Sequence, residues 1–253
     1  VAPGADSDVK AITYQNIGAT QWKLGQFENA VTSFRNSLHI RLIQQQQHQS
    51  QLIDIAHSFQ NLGLALLLVE KLDEAIASLD QAFEMYGSIA QSEPKHAKNT
   101  RILDIAHRIS FMGCAIGKTK IADEKALKYH RFALQLKYEY FCTDITTTSS
   151  AKTIRISLME IGQLNENLLD YENALNTYHT ALNLVQKQQL SEENDSVIIE
   201  RGELLFKIGL LNKKKGNLSE AFNFFHDAAF AYAEAGLPHD NEYMHSLMES
   251  MKK

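Results

Sequence analysis

Met112 to Thr119 read MGCAIGKT, and the last three letters are those that close a phosphate-binding loop. That chemistry needs a strand, then G-x-x-x-x-G-K-[ST], then a helix, because consecutive backbone N–H groups and a helix N-terminus form the anion cradle. Here Gly113 and Gly117 enclose three residues instead of four, so the cradle lacks a donor. Ten histidines raise the question of metal chemistry, yet none stands in HExxH or another compact ligand spacing. No GxSxG elbow and no Cys-His pattern prepares a nucleophile, so neither catalysis, a cofactor nor a metal is expected. Lys207, Lys213, Lys214 and Lys215 form the sharpest charged cluster; they suit an acidic segment or, as at many helix ends, only water. Asn16 and Asn61 carry amides that offer both donor and acceptor, which suits the backbone of an extended peptide whatever its side chains.

What these residues can do depends on the elements that hold them, and the chain repeats itself. Five segments align: NIGATQWKLGQFENAVTSF from Asn16, NLGLALLLVEKLDEAIASL from Asn61, FMGCAIGKTKIADEKALKYH from Phe111, EIGQLNENLLDYENALNTY from Glu160 and KIGLLNKKKGNLSEAFNFF from Lys207. MGCAIGKT is thus the third copy of a repeat whose sister copies carry IGATQWK, LGLALLL, IGQLNEN and IGLLNKK. An apolar residue precedes Gly18, Gly63, Gly113, Gly162 and Gly209, and Ala30, Ala75, Ala126, Ala174 and Ala221 follow at 12, 12, 13, 12 and 12 residues. Four residues beyond each alanine stand Phe34, Leu79, His130, Tyr178 and Phe225. Apolar residues at three- and four-residue spacing fill both halves of each copy, the mark of two amphipathic helices. Gly25 and Gly216 sit at the turn between the halves, where a helix end favours positive φ. Glycine facing alanine lets two helix axes approach, and the large residue fills the space beside them. Such a pair cannot stand alone, so each must stack on the next.

Tyr14, Phe59, Ile109, Leu158 and Leu205, the apolar-Gly pairs and the A-x3-F spacing together resemble the tetratricopeptide repeat, W-x2-L-G-x2-Y then A-x3-F then P. The tyrosine column instead holds Gln21, Leu66, Ile116, Asn165 and Asn212, and no terminal proline closes the copies. The glycines are spaced by 45, 50, 49 and 47 residues, against about 34 in the ordinary repeat. DIAHSFQNLG from Asp54 and DIAHRISFMG from Asp104 are similar to the D-V-A-x-x-x-N-N-L-A phrase of kinesin light chains, whose repeats are also long. The resemblance implies an all-α fold: a right-handed α-solenoid of five tetratricopeptide-type helix pairs plus a C-terminal capping helix. The expected repeats cover about residues 9–48, 51–93, 101–142, 152–190 and 195–236, in one domain over 1–253, with the capping helix at 240–252 marked by Met244, Leu247, Met248 and Met251.

In that family the first helices line a concave groove. Position for position, the groove residues would be Asn16 and Trp22; His57, Gln60 and Asn61; His107 and Phe111; Glu160; and Lys207 and Lys214. Use of Asn16 and Asn61 on a peptide backbone is implied by the kinesin-like resemblance; the competing reading is a hydrogen bond within the stack. The expected function is a protein-protein interaction scaffold or adaptor that binds a peptide or helical segment in the groove. The alternative is a structural subunit of a larger permanent assembly, using its convex face and linkers. A regulator closing on a signalling peptide would bring an effector domain, and none is visible. The lysine and asparagine set with which similar proteins clamp a chaperone's terminal carboxylate is not in register.

Composition sets the remaining bounds. With 44% apolar residues, 22% charged, three prolines and twelve glycines in 253 residues, the chain reads as helical and globular. A net charge of -5 gives no basic field for nucleic acid or an anionic membrane surface. The apolar run Leu62 to Val69 is far short of the roughly 20 residues that span a bilayer. Cys114 and Cys142 form no CxxC, which points to a reducing compartment: the cytoplasm, or an organelle interior if VAPGADSD is a processed start. QQQQHQSQ, Gln44 to Gln51, is expected to extend a second helix; SEPKHAKNT, Ser92 to Thr100, is a loop at Pro94; TDITTTSS, Thr143 to Ser150, is a solvated linker with phosphorylatable hydroxyls.

Overall fold

A computed structural model of the chain describes residues 3–45, 52–93, 100–141, 148–189, 194–238 and 242–252. Eleven helices, and no strand, occur among the described residues. They are α1 (Pro3–Lys23), α2 (Phe27–Gln45), α3 (Leu52–Leu68), α4 (Leu72–Ser92), α5 (Thr100–Gly117), α6 (Asp123–Phe141), α7 (Thr148–Asn167), α8 (Tyr171–Gln189), α9 (Asp195–Lys214), α10 (Leu218–Glu234) and α11 (Glu242–Lys252). The chain divides into two compact units, Val1–Tyr129 and His130–Lys253, with the division inside α6. Within the first unit α1 pairs with α2 and α3 with α4, while α2 also packs on α3 and α4 on α5. Within the second, α7 pairs with α8 and α9 with α10, α8 packs on α9, and α11 rests on α10 and α9.

The glycine-alanine register explains the pairing. A Cβ on Gly162 would stand 2.3 Å from the Tyr178 ring, and one on Gly209 2.7 Å from that of Phe225. Gly18 meets Phe34, and Gly63 meets Leu79, at the same two positions of their pairs. The first helix gives up a side chain so that the second can place a large one, fully buried, against its backbone. Around these contacts lie one core of Phe34, Ile55, Leu62 and Leu66 in the first unit and another of Tyr178, Val185, Leu204, Ile208 and Phe225 in the second. Each such side chain contributes about 1.5 to 3 kcal/mol by leaving water.

All five turns between paired helices place one residue in the left-handed region: Gly25 (φ 74°), Glu70 (59°), Lys120 (55°), Leu169 (61°) and Gly216 (84°). At four of them the next residue's N–H reaches back to a carbonyl five positions earlier, as Asp170 does to Asn165 at 2.8 Å and Asn217 to Asn212 at 2.9 Å, whereas after Lys120 the Ile121 N–H donates to Thr119 Oγ1 at 3.4 Å. The expectation for Gly25 and Gly216 holds, and three non-glycine residues do the same work at a steric cost.

Polar contacts join successive pairs in a fixed register as well. Eleven residues past the repeat alanine, Arg41 donates to Ser58 Oγ of the next first helix at 3.1 Å, and Lys137 donates to Ser157 Oγ at 2.7 Å. At the corresponding places Tyr86 contacts Arg108, and Val185 and Leu204 are both apolar and share one core. Second helices meet second helices through the residue five past the alanine. Arg35 pairs with Glu74, Asp80 with both Lys125 and Tyr129, and His179 faces Glu220 and the ring of Phe224.

Two expectations are amended. Thr148, Ser149 and Ser150 belong to α7 and not to a linker, and Ser150 is buried. Ile17, unlike Leu62, Met112, Ile161 and Ile208 in the same column, is 41% exposed, since no helix among the described residues packs on that side of α1. Gln46 to Gln51, Pro94 to Asn99, Cys142 to Thr147 and the side chains of Met244 and Met251 lie outside the described residues. No described helix is long and apolar enough to cross a membrane.

Candidate partner-binding faces

Two residues before each pairing glycine stand Asn16, Asn61, Phe111, Glu160 and Lys207, one per first helix. The glycine packs inward against the second helix, and from the second pair onward the residue before it is buried. One step further round, the side chain is directed away from both contacts. Asn16 and Phe111 are exposed, and Asn61, Glu160 and Lys207 are half-buried.

In the first unit Asn16 lines an open concavity of about 340 Å³ on α1 with Thr13, Ile17, Thr20 and Gln21. Trp22 is half-buried and meets Phe27 and Phe34 edge-on at 6.3 and 6.5 Å, so it braces the turn of its own pair. Gln60 is only 4% exposed and accepts hydrogen bonds from Tyr86 Oη at 2.6 Å and from Arg108 at 3.5 Å. Its amide ties α3 to α4 and α5 and does not face a groove. His57, half-buried, lies 5.9 Å from the Tyr86 ring, and its Nε2 is enclosed without a partner among the described residues. Burial, reinforced by the nearby Arg108 guanidinium, pushes its pKa down to about 4, so the imidazole is neutral at pH 7. His107, also on α5, is exposed, as is Phe111 one turn later. Arg108, between them, is held by Asp104 at 2.8 Å.

In the second unit the same column is charged. Lys207 donates to Gln163 Oε1 at 2.9 Å and lies 5.5 Å from the centre of the Tyr178 ring. Lys214 meets Glu166 at 3.1 Å, and Glu166 also accepts from Tyr178 Oη at 2.8 Å. Burial and the neighbouring Glu166 and Glu160 carboxylates raise the Tyr178 phenol well above its ordinary pKa. Lys215 meets Glu172 at 3.2 Å, and Lys213 donates to the Ser250 carbonyl of α11. These four lysines therefore fasten α9 to α7, α8 and α11. Sequence alone missed that, because the acceptors lie more than thirty residues away.

The MGCAIGKT segment has no loop conformation up to its second glycine. Gly113 and Gly117 are in α5, and only Lys118 to Lys120 turn toward α6, so the backbone N–H groups are engaged along a helix instead of converging on an anion.

Comparison with known proteins agrees with this architecture. The tetratricopeptide repeat family model matches residues 11–41 and 56–88. No curated protein matches the sequence. Among solved structures, BtubC (BKLC) from P. vanneervenii is 15% identical, with a TM-score of 0.57 over 94% of this chain and 86% of that one. A putative kinesin light chain with TPR-like repeats from Podosopora anserina is 14% identical, with a TM-score of 0.59 over 90% and 97%. YrrB, described as a TPR protein with an unusual peptide-binding site, is 14% identical, with a TM-score of 0.56 over 96% and 92%. The chain carries tetratricopeptide repeats, and its fold is that of tetratricopeptide-repeat structures, a kinesin light chain among them.

Proposed function

We propose that this chain is a protein-binding module, not an enzyme, and that it takes a peptide or helical segment of a partner along the first-helix faces. The observation that supports this is the accessible column Asn16, Asn61, Phe111, Glu160 and Lys207. Each stands beside a position that is buried from the second pair onward, with amides and an aromatic ring in the first unit and charges in the second. A surface needed only to keep the stack in water has no use for an asparagine at matched positions of two pairs, half-buried in the second, nor for an exposed phenylalanine in the third. In the first unit the amides of Asn16 and Asn61 hold the partner's backbone, and Phe111, with His107 beside it, reads a side chain. Trp22, Gln60 and His57 support that face from beneath. In the second unit Lys214 is paired with Glu166 and Lys207 is held by Gln163, so the partner there is not selected for acidity alone.

The test is capture of a partner from native extract with the intact chain, followed by affinity measurements on the purified pair. Asn16→Ala with Asn61→Ala is expected to weaken binding about thirtyfold, from two hydrogen bonds at about 1 kcal/mol each, with the melting temperature unchanged. Lower thermal stability with unchanged affinity would mean that the amides serve the stack instead.

A further inference from the structure

Successive first helices of the first unit are tied side by side by polar rungs at one register. Gln15 and Gln60 stand three residues before Gly18 and Gly63, and Ser58 and Arg108 stand five before Gly63 and Gly113. Ser58 Oγ donates to Gln15 Oε1 at 3.5 Å, joining α1 to α3, and Arg108 donates to Gln60 Oε1 at 3.5 Å, joining α3 to α5. Asn16, Asn61 and Phe111 therefore stand level on three neighbouring helices, and helices packed in this way lie about 8 to 10 Å apart. Neither asparagine amide has a hydrogen-bond partner among the described residues. Apolar surface lies at both ends of the row: Phe111 is 55% exposed on α5, and Ile12, one turn before Asn16 on α1, is 51% exposed.

The free amides and the spacing together restrict what can lie across them. An asparagine amide can grip a backbone N–H and C=O only where these groups are not already bonded, which excludes a helix, whose own i to i−4 bonds consume them. A β-strand leaves one edge free, but the same edge returns every second residue, about 6.7 Å, or every fourth, about 13 Å, and neither matches the row. A polyproline II segment has no internal hydrogen bonds. Its three residues per turn and rise of about 3.1 Å bring the same face back every third residue, about 9.3 Å along, which is the spacing of the helices.

We propose, resting on the peptide reading of this face given above, that the first unit binds a partner segment in the polyproline II conformation. Successive residues of one face, three apart, lie on Asn16, Asn61 and Phe111. The middle one keeps its N–H for the Asn61 side chain and so is not proline. The two residues on either side of it are turned away from the amides, and proline there pre-sets φ without loss of a needed donor. The outer two carry apolar side chains, one against Ile12 and the other against Phe111.

The experiment uses the intact chain and, as probe, the fluorescent peptide Leu-Pro-Pro-Ala-Pro-Pro-Leu, which reads the same in both directions and so places its alanine on Asn61 whichever way it lies. Saturable binding by anisotropy is expected. Exchange of the central alanine for proline removes one N–H and keeps the conformation, and is expected to weaken binding about fivefold, the loss of one hydrogen bond. Exchange of all four prolines for glycine keeps that N–H but frees the backbone, and is expected to weaken binding at least about tenfold. Both comparisons are made in the parent chain and do not depend on any variant folding. In Asn61→Ala, checked by thermal unfolding, the original peptide binds about fivefold more weakly and the exchange of alanine for proline has no further effect. Absence of saturable binding, equal affinity for the central-proline or the glycine peptide, or an alanine-to-proline loss that persists in Asn61→Ala would overturn the proposal. Those results leave the proposed function standing, since that fails only when Asn16→Ala with Asn61→Ala does not weaken the captured partner.

Discussion

At the scale of single residues, the positions that could do chemistry are mostly occupied by structural work. His57 shows why. Its ring is enclosed against Tyr86, and the cost of burying an imidazolium, with Arg108 close by, lowers its pKa from 6.5 to about 4. Asp54 and Asp104 act in the opposite direction and Arg41 in the same one, all of them weaker than burial. The unfolded chain takes up this proton first as pH falls. The contribution of neutral His57 is therefore intact above pH 6.5, is lost between about 6.5 and 4, and changes no further below that. Urea titrations across this window are expected to show a loss on the order of 2 kcal/mol that His57→Gln removes. An unchanged pH profile in the variant would show that His57 does not titrate in this way. The histidine itself was legible in DIAHSFQNLG, but its neutrality was not, because burial depends on Tyr86 twenty-nine residues later.

At the scale of elements, the helix pairs follow from local sequence and the turns do not. Glycine at 25 and 216 advertises positive φ, whereas Glu70, Lys120 and Leu169 adopt it without any such signal. They do so because both flanking helices are fixed by packing, and the hydrogen bonds at the turn are worth more than the strain. Leu169→Gly is expected to raise stability by about 0.5 to 1 kcal/mol, the relief of strain less the added entropy of the unfolded chain. Gly216→Ala, measured in parallel by thermal unfolding, is expected to lower stability by about 1 kcal/mol. Equal signs for the two would refute the assignment of strain to the turn. The seam residues were equally hidden. Arg41, Tyr86, Lys137 and Val185 share a register but not a chemistry, and each is matched to a partner of its own kind in the next pair.

At the scale of the whole molecule, stacking replaces a single central core, and each unit carries its own. Arg155, 1% exposed, binds Glu200 through two parallel contacts of 2.7 and 2.8 Å and also meets Gln188, joining α7 to α8 and α9. Removing one member of a buried ion pair strands the other, so Arg155→Ala is expected to cost about 3 to 5 kcal/mol. In a nearest-neighbour array that loss stays local. Hydrogen exchange is expected to quicken through α7 to α10 and to leave α1 to α4 near parent rates; uniform acceleration would show a cooperative unit larger than the array model allows.

The sequence by itself determined the periodic features. Glycine, alanine and a large residue at fixed spacing specify two helices that approach closely, and five copies specify a stack, because each helix face must be buried against something with the same period. Tertiary structure alone decided which polar side chains remain available. A column's exposure depends on what the folded chain places opposite it, as with Gln60 against Tyr86, and Lys214 and Lys215 against Glu166 and Glu172. Periodicity is a property of near neighbours along the chain, whereas burial is a property of residues brought together from 26 to 48 positions apart in these examples, and only the packed molecule brings them together.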